Sequence, residues 1–160
     1  MKKLITVFLF ILIIIGLNSV TNTANSQVWE KWVARYNGPA DSTDIATSMT
    51  VDKFGNVYVT GTSFNNETAY DYLTFKYNAF GNQEWVRSYN GSSTTAVDDK
   101  AVAIAVDKSG NVIVTGNSKG EYTTIKYNSS GVIMWSKIFN GPGNNVENAN
   151  DMALDKSGNV

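Results

Sequence analysis

Small and large side chains alternate in two short segments of the chain, Ala46–Val51 and Ala101–Val106. A period of two predicts β-strands rather than helices. Ala149–Leu154 follows the same rule. One side of each strand carries small residues, so another layer can approach it closely. Further strands are predicted at Asn56–Thr62, Tyr72–Asn78, Gln83–Asn90, Asn111–Asn117, Tyr122–Asn128 and Ile133–Asn140.

Two kinds of turn join these strands. The sequence Asp-Lys-x-Gly-Asn links strands one and two, and Asn-x-x-Gly links strands three and four. The Asp or Asn side chain accepts hydrogen bonds from the following backbone N–H groups, and Gly supplies the positive φ. The predicted structural turn residues of the first kind are Asp52, Gly55, Asp107, Gly110, Asp155 and Gly158.

The same motifs recur along the chain. Trp32, Trp85 and Trp135 are separated by 53 and then 50 residues. A period near 50 residues is typical of propellers and solenoids. Each unit is predicted to be a four-stranded antiparallel meander, which cannot bury both faces alone. Radial stacking of such units gives a β-propeller, and a linear stack of hairpins is the alternative architecture.

These motifs together resemble a known family. The pattern W-x-x-x-Y-N-G precedes V-D-K-x-G-N-V-Y-V-T-G, which is followed by Y-x-T-x-K-Y-N-x-x-G-x-x-x-W. This pattern, present from Trp29 to Val160, resembles the SBBP type of bacterial β-propeller repeat. The resemblance implies a seven-bladed propeller in a secreted or surface bacterial protein, and it implies no defined catalytic activity.

The N-terminus has the three parts of a secretory signal peptide. Met1-Lys2-Lys3 is basic, Leu4–Leu17 is apolar, and a polar stretch follows. Ala24 and Ser26 supply the small residues that cleavage requires, so residues 1–26 are predicted to be removed before Gln27. An uncleaved anchor is the alternative, although the apolar run is shorter than the ~20 residues of a spanning helix. We therefore expect export to the medium or the bacterial cell surface, with no membrane span after cleavage.

The fold class expected for residues 27–160 is all-β, an incomplete propeller of about two to two and a half blades. The predicted parts are a strand at 29–38, repeats at 44–91 and 99–141, and a truncated repeat at 147–160. A propeller closes with ~4–8 blades. The remaining blades are therefore expected C-terminal to Val160, with strand 29–38 completing the last of them.

Composition excludes several chemistries. The 160 residues contain no Cys and no His. Disulfides, Cys/His zinc sites, haem histidines and His-dependent catalytic triads are thus ruled out within the chain. The 13 basic and 14 acidic residues nearly balance, which argues against a nucleic-acid partner. The Asp-Lys turn lacks the alternating acids of a calcium loop, so no metal or cofactor is expected.

Loop lengths vary at only one end of the predicted sheets. Gly61 to Lys76 spans 15 positions, whereas the equivalent Gly116 to Lys126 spans 10. Variable loops on a rigid scaffold commonly carry binding residues. The alternative is that these loops are solvated linkers. The candidate ligand-binding residues are Phe64, Asn65, Asn66, Tyr70, Asp71 and Glu121.

An acid recurs at one aligned position of each repeat, as Asp44, Asp99 and Glu147. These acids are predicted near the start of the innermost strand, at the mouth of the central channel. A ring of carboxylates there could attract a cation or a basic ligand. The favoured alternative is that each acid caps its own loop by accepting hydrogen bonds from backbone N–H groups.

We expect a non-enzymatic scaffold that binds or adheres to a protein or polysaccharide. The competing hypothesis is a glycan hydrolase or lyase that uses channel carboxylates. A catalytic carboxylate pair needs a fixed separation and should break the repeat, whereas the acids here recur in every unit. A purely structural spacer in a long surface protein is the third possibility.

Overall fold

The computed structural model describes residues 30–91, 97–142 and 146–160. The chain divides into two units, Met1–Glu30 and Lys31–Val160. Apart from Glu30, every residue described below lies in the second unit. The predicted signal peptide, residues 1–26, lies outside the described residues.

Eight strands form two four-stranded antiparallel sheets, each in sequence order. The described residues contain no helix. The predicted meanders are therefore confirmed, and each sheet corresponds to one blade. The first blade contains β1 (Asp44–Val51), β2 (Val57–Asn65), β3 (Ala69–Tyr77) and β4 (Gln83–Tyr89). The second blade contains β5 (Asp99–Val106), β6 (Val112–Ser118), β7 (Glu121–Tyr127) and β8 (Ile133–Phe139).

The alternation predicted for the innermost strands is interrupted by a β-bulge. The register shifts between Ala46 and Ser48 in β1, and at the equivalent point in β5. The hydroxyl oxygen of the bulged Thr47 lies 3.2 Å from the Thr60 carbonyl oxygen and 2.9 Å from the Ala101 carbonyl oxygen, and its one proton is shared between these two acceptors. The bulge therefore links the innermost strands of the two blades.

A glycine of the second strand lies opposite each bulge. A Cβ on Gly61 would collide with the Ile45 carbonyl oxygen, and a Cβ on Gly116 would collide with the Lys100 carbonyl oxygen. Glycine in a strand interior commonly marks such a close approach of two backbones. These two glycines therefore allow the bulged inner strand to pair with its neighbour.

Aromatic side chains of the first blade pack on aliphatic side chains of the second. Tyr58 and Tyr72 are fully buried, and the ring of Trp85 lies against Gly131. Trp85 also donates its indole N–H to the Ser129 carbonyl at 3.1 Å. The facing residues of the second blade include Ala101, Ile104, Val112, Val114, Ile125 and Tyr127. This interface is the main core of the described structure.

The segment before β1 repeats part of this interface. Trp32 lies against Gly81 as Trp85 lies against Gly131, and it packs on the ring of Tyr77. The segment is nevertheless not the strand predicted at 29–38, because residues 30–38 form no ladder with any described strand. Trp29 lies outside the described residues.

The start of the third repeat is also not a strand. Residues 146–154 have no β-ladder, although the alternating pattern at 149–154 predicted one. Hydrogen bonds attach the segment to the second blade, from Glu147 N to the Gly120 carbonyl and from Ala149 N to Asn117 Oδ1. A β-strand needs backbone hydrogen bonds to a neighbouring strand, so an alternating side-chain pattern alone does not make this segment one.

Candidate binding surface

The turns between the first two strands share one hydrogen-bonding frame. Asp52 Oδ1 accepts hydrogen bonds from the N–H groups of Phe54 and Asn56, at 2.8 and 3.0 Å. The third turn in the described chain, at Asp155, has the same frame. The glycines Gly55, Gly110 and Gly158 all have positive φ, between 79° and 84°. The aspartates Asp52, Asp107 and Asp155 and these glycines thus shape the turns.

The carboxylate of Asp107 is stabilised in its charged form. Burial raises its pKa, but hydrogen bonds from Asn111, Lys126 and the backbone outweigh burial and bring the pKa to about 2. Lys126 Nζ lies 2.9 Å from Asp107 Oδ2. Hydrogen bonds likewise lower the pKa of Asp52. These acids serve their own turns and are not available as proton donors at neutral pH.

The recurring acids at the opposite end hold the connections between blades. Asp44 Oδ2 accepts the Gly38 N–H at 2.8 Å, and Asp99 Oδ2 accepts the Gly91 N–H at 2.7 Å. Asp99 is 1% exposed, and its Oδ1 has no hydrogen-bond partner among the described residues. Glu147 is half-buried and lies close to the position of a Cβ on Gly141. Asp44 and Asp99 thus have the geometry of caps, each accepting a hydrogen bond from the backbone before its own strand.

The candidate residues of the longer loop lie mostly in strands. Phe64 pairs with Tyr70, and Asn65 pairs with Ala69, at the end of the β2–β3 hairpin. The placement of these residues in a loop was therefore wrong. Their polar composition does not signal a strand, but the pairing begun by Val57 continues to the tip. The extra length of the first blade makes a longer hairpin, with nine-residue strands against seven in the second blade.

Aromatic and polar groups share the tip of this hairpin. The rings of Phe64 and Tyr70 meet edge to face, with centroids 5.2 Å apart. Lys100, which the sequence analysis did not single out, lies 5.8 Å above the Tyr70 ring. Asn65 Oδ1 accepts the Glu67 N–H at 3.0 Å and so shapes the turn. Asn66 is exposed at the tip.

The two remaining acids differ in accessibility. Asp71 is 4% exposed and accepts the Thr68 hydroxyl at 2.7 Å. Burial raises the pKa of Asp71, and the charge of Asp99 raises it further. Glu121 begins β7 in the other sheet and accepts the Asn140 amide at 2.8 Å. Asp71 is therefore a buried residue that stabilises the hairpin through Thr68, whereas Glu121 belongs to the second blade.

Two further features are absent from residues 30–91, 97–142 and 146–160. No group of three or more Asp and Glu residues is arranged to hold a metal ion. No helix in this part of the chain is long and apolar enough to cross a membrane.

Comparison with known families agrees with this geometry. Residues 31–66 match the family profile of the SBBP beta-propeller repeat. The match runs from the segment that contains Trp32 through β1 and the Asp52 turn to the tip of the first hairpin. Residues 31–66 carry an SBBP-type β-propeller repeat. The second sheet, which lies outside the matched residues, repeats the strand order, the Asp-Lys-x-Gly-Asn turn and the bulge of the first. No curated protein matches the chain significantly.

Proposed function

We propose that this SBBP repeat protein is an exported, non-enzymatic binding scaffold, and that it contacts a protein or polysaccharide through the β2–β3 hairpin of its first blade. The observation that carries the proposal is the length of that hairpin. It projects beyond the equivalent hairpin of the second blade and ends in the Phe64–Tyr70 pair. Residues that the repeat requires are the same in both blades, so an extension present in one blade suggests a role outside the fold.

Aromatic side chains with a polar surround are common at binding surfaces. Here Lys100 and the exposed Asn66 flank the Phe64–Tyr70 pair. The hairpin is held in place by the β2–β3 ladder, so little conformational entropy would be lost on binding. A non-enzymatic role is supported by the recurring acids, because Asp44 and Asp99 are engaged by backbone N–H groups.

Export and assembly complete the proposal. The basic and apolar N-terminal sequence supports secretion, either to the medium or to the bacterial surface. Further SBBP blades would cover apolar side chains exposed on the outward faces of both sheets, such as Met49 and Ile133. A groove of about 380 Å³ lies between sheet one and the segment with Trp32 and Tyr36. A neighbouring blade would fill this groove.

The hairpin proposal can be tested with a shortened variant. Residues 64–70 would be replaced by the Lys119-Gly120 turn that closes the equivalent hairpin of the second blade. Because that turn already serves an SBBP blade, the fold should survive, and circular dichroism would check it. Wild-type and shortened proteins would be applied to arrays of bacterial polysaccharides and surface proteins.

We expect the wild-type protein to bind a defined subset of the array and the shortened protein to lose that binding. Tyr70→Ala should give the same loss with the hairpin length unchanged. Retention of all binding by the folded, shortened protein would contradict the role of the hairpin. Export is tested separately, by N-terminal sequencing of the protein recovered from the culture medium and cell surface.

A further inference from the structure

A cleft of about 440 Å³ lies between the two blades, at the end opposite the extended hairpin. Its sides are the Asp-Lys-x-Gly-Asn turns that follow β1 and β5. The volume falls in the range of ligand sites, ~300–1,000 Å³. The residues of the first blade that line it include Lys53, Phe54, Tyr58 and Lys76, and those of the second include Asp107, Lys108, Ser109 and Ser129.

Phe54 departs from the repeat at this cleft. The equivalent positions in the other two turns are Ser109 and Ser157. The backbone frame is unchanged, since the N–H groups of Phe54 and Ser109 donate to their turn aspartates at 2.8 and 2.9 Å. Phe54 is 72% exposed. The turn therefore does not need the phenyl ring, which stands in solvent at the edge of the cleft.

Lys53 also differs from its counterpart. Lys108, at the equivalent position, reaches across to the next turn and donates to the Lys156 carbonyl at 2.9 Å. Lys53 instead lies 5.0 Å over the ring of Phe54. Within the described part of the chain, Lys53 makes no hydrogen bond or ion pair. At this cleft the ammonium group of Lys53 therefore has no hydrogen-bond or ion-pair partner among the described residues, and it lies beside the exposed ring of Phe54.

The other charged side chains that line the cleft make hydrogen bonds or ion pairs. Asp52 accepts the Asn56 amide and the Tyr58 hydroxyl, at 2.8 and 3.1 Å. Lys76 pairs with Glu84 at 2.7 Å. Asp107 is paired with Lys126, as described above. Of the charged side chains that line the cleft, only that of Lys53 has no hydrogen bond or ion pair among the described residues.

The backbone of the turns excludes recognition by strand addition. Asp52 N donates to the Asn56 carbonyl, and Asp107 N donates to the Asn111 carbonyl, at 3.0 and 2.9 Å. The exposed side chains of Lys53 and Phe54 extend beyond this hydrogen-bonded backbone and are available to a ligand. A pyranose ring suits this arrangement, because its C–H face packs on an aromatic ring while its substituents reach polar groups at the rim.

We propose that this cleft binds an acidic saccharide, with one sugar ring packed on Phe54 and its carboxylate paired with Lys53. Ser109 lines the opposite wall of the cleft and would offer its hydroxyl group to the sugar. This site is separate from the extended hairpin, and it does not depend on the function proposed for that hairpin.

The test is titration of the 160-residue chain with hexagalacturonate, a hyaluronan hexamer and an alginate hexamer, with cellohexaose as the neutral probe. Binding would be followed by calorimetry. Phe54→Ser installs the residue that the other two turns carry, so it should fold normally. Phe80→Ser is the matched control, because Phe80 is 79% exposed in a similar turn of the same blade but does not line the cleft.

We expect at least one acidic hexamer to bind, with dissociation constants raised about tenfold or more by Phe54→Ser and by Lys53→Ala. Phe80→Ser and the shortened hairpin should leave this binding unchanged, and added salt should weaken it. Failure of all three acidic hexamers to bind would overturn the proposal. Equal binding of cellohexaose, or equal loss in Phe54→Ser and Phe80→Ser, would overturn it as well.

Discussion

The hydroxyl of Tyr72 lies 2.7 Å from the point that a Cβ on Gly116 would occupy. Tyr72 belongs to β3 of the first blade, and Gly116 belongs to β6 of the second. The hydroxyl donates to the Thr123 carbonyl at 3.5 Å, and the side chain is fully buried. The absence of a methyl group at Gly116 therefore allows the Tyr72 ring to pack between the blades.

We predict that Gly116→Ala destabilises the protein by about 1–3 kcal/mol, as is usual for overpacking. The new methyl group would meet both the Lys100 carbonyl and the Tyr72 hydroxyl. Tyr72→Phe removes the hydroxyl, so it should recover part of the loss when the two substitutions are combined. Urea denaturation of the two single variants and the double variant gives the coupling free energy.

Gly61→Ala is the matched control. Gly61 faces the equivalent bulge and its new methyl group would meet the Ile45 carbonyl, but no Tyr72 hydroxyl lies among its nearest contacts. Tyr72→Phe should therefore give no recovery when combined with Gly61→Ala. Equal recovery with both glycine variants would show that the contact between Tyr72 and Gly116 does not cause the effect.

Much of the fold could be predicted from side-chain alternation and turn residues. The pattern at Ala101–Val106 and the glycine turns were sufficient to identify the strands and their order. The bulges could not be predicted from the alternation of small and large residues, because that alternation continues unbroken through the extra residue of each bulge. The signal was present elsewhere, as Gly61 and Gly116 interrupt strands otherwise rich in Val and Thr.

Pairing was harder to predict than strand character. Residues 30–38 and 149–154 have the expected patterns, but a strand also needs a neighbour with which to form hydrogen bonds. For the candidate surface, sequence located the variable end but assigned Tyr70 to a loop. Sequence comparison between repeats did contain the signal for Phe54, since Ser occupies the equivalent position twice.

Removal of the Asp99 carboxylate should weaken the connection between the blades. We predict a loss of about 1–3 kcal/mol for Asp99→Ala, because the half-buried Gly91 N–H would lose a buried acceptor. Asp44→Ala should cost less, since Asp44 is only half-buried. Thermal and urea unfolding would compare the two variants. An equal or larger loss for Asp44→Ala would contradict the importance of burial.

Acid should unfold the protein partly through Asp107. Its pKa is about 2 in the folded state and its ordinary value is 3.8. A lowered pKa adds stability above pH 3.8, and this stability is lost as the pH falls towards 2. We predict that Asp107→Asn is less stable at pH 6 and loses less stability between pH 5 and 2.

Tryptophan fluorescence during urea unfolding at several pH values would measure this difference. Asp71 contributes with the opposite sign, because burial raises its pKa, but it is unchanged in both proteins. Glu67→Gln, at an exposed position of the hairpin tip, is the control. Parallel stability profiles for the wild type and Asp107→Asn would refute the prediction.

Arg87 lies in β4, the outermost strand of the first blade, and donates hydrogen bonds to the second blade. Its Nε donates to the Gly131 carbonyl at 2.7 Å, and its Nη2 donates to the Ser130 carbonyl at 3.2 Å. Lys137 stands at the equivalent position of the second blade, where it is exposed and makes no hydrogen bond within the described residues.

We predict that Arg87→Ala lowers the free energy of unfolding by about 1–3 kcal/mol, because two carbonyl groups lose a charged donor. Lys137→Ala should change it by less than about 0.5 kcal/mol, as is usual at an exposed position. Arg87→Lys should be intermediate, since an ammonium cannot reproduce the two-pronged geometry of the guanidinium. If Arg87→Ala and Lys137→Ala have equal effects on urea unfolding, the Gly131 and Ser130 contacts do not stabilise the interface between the blades.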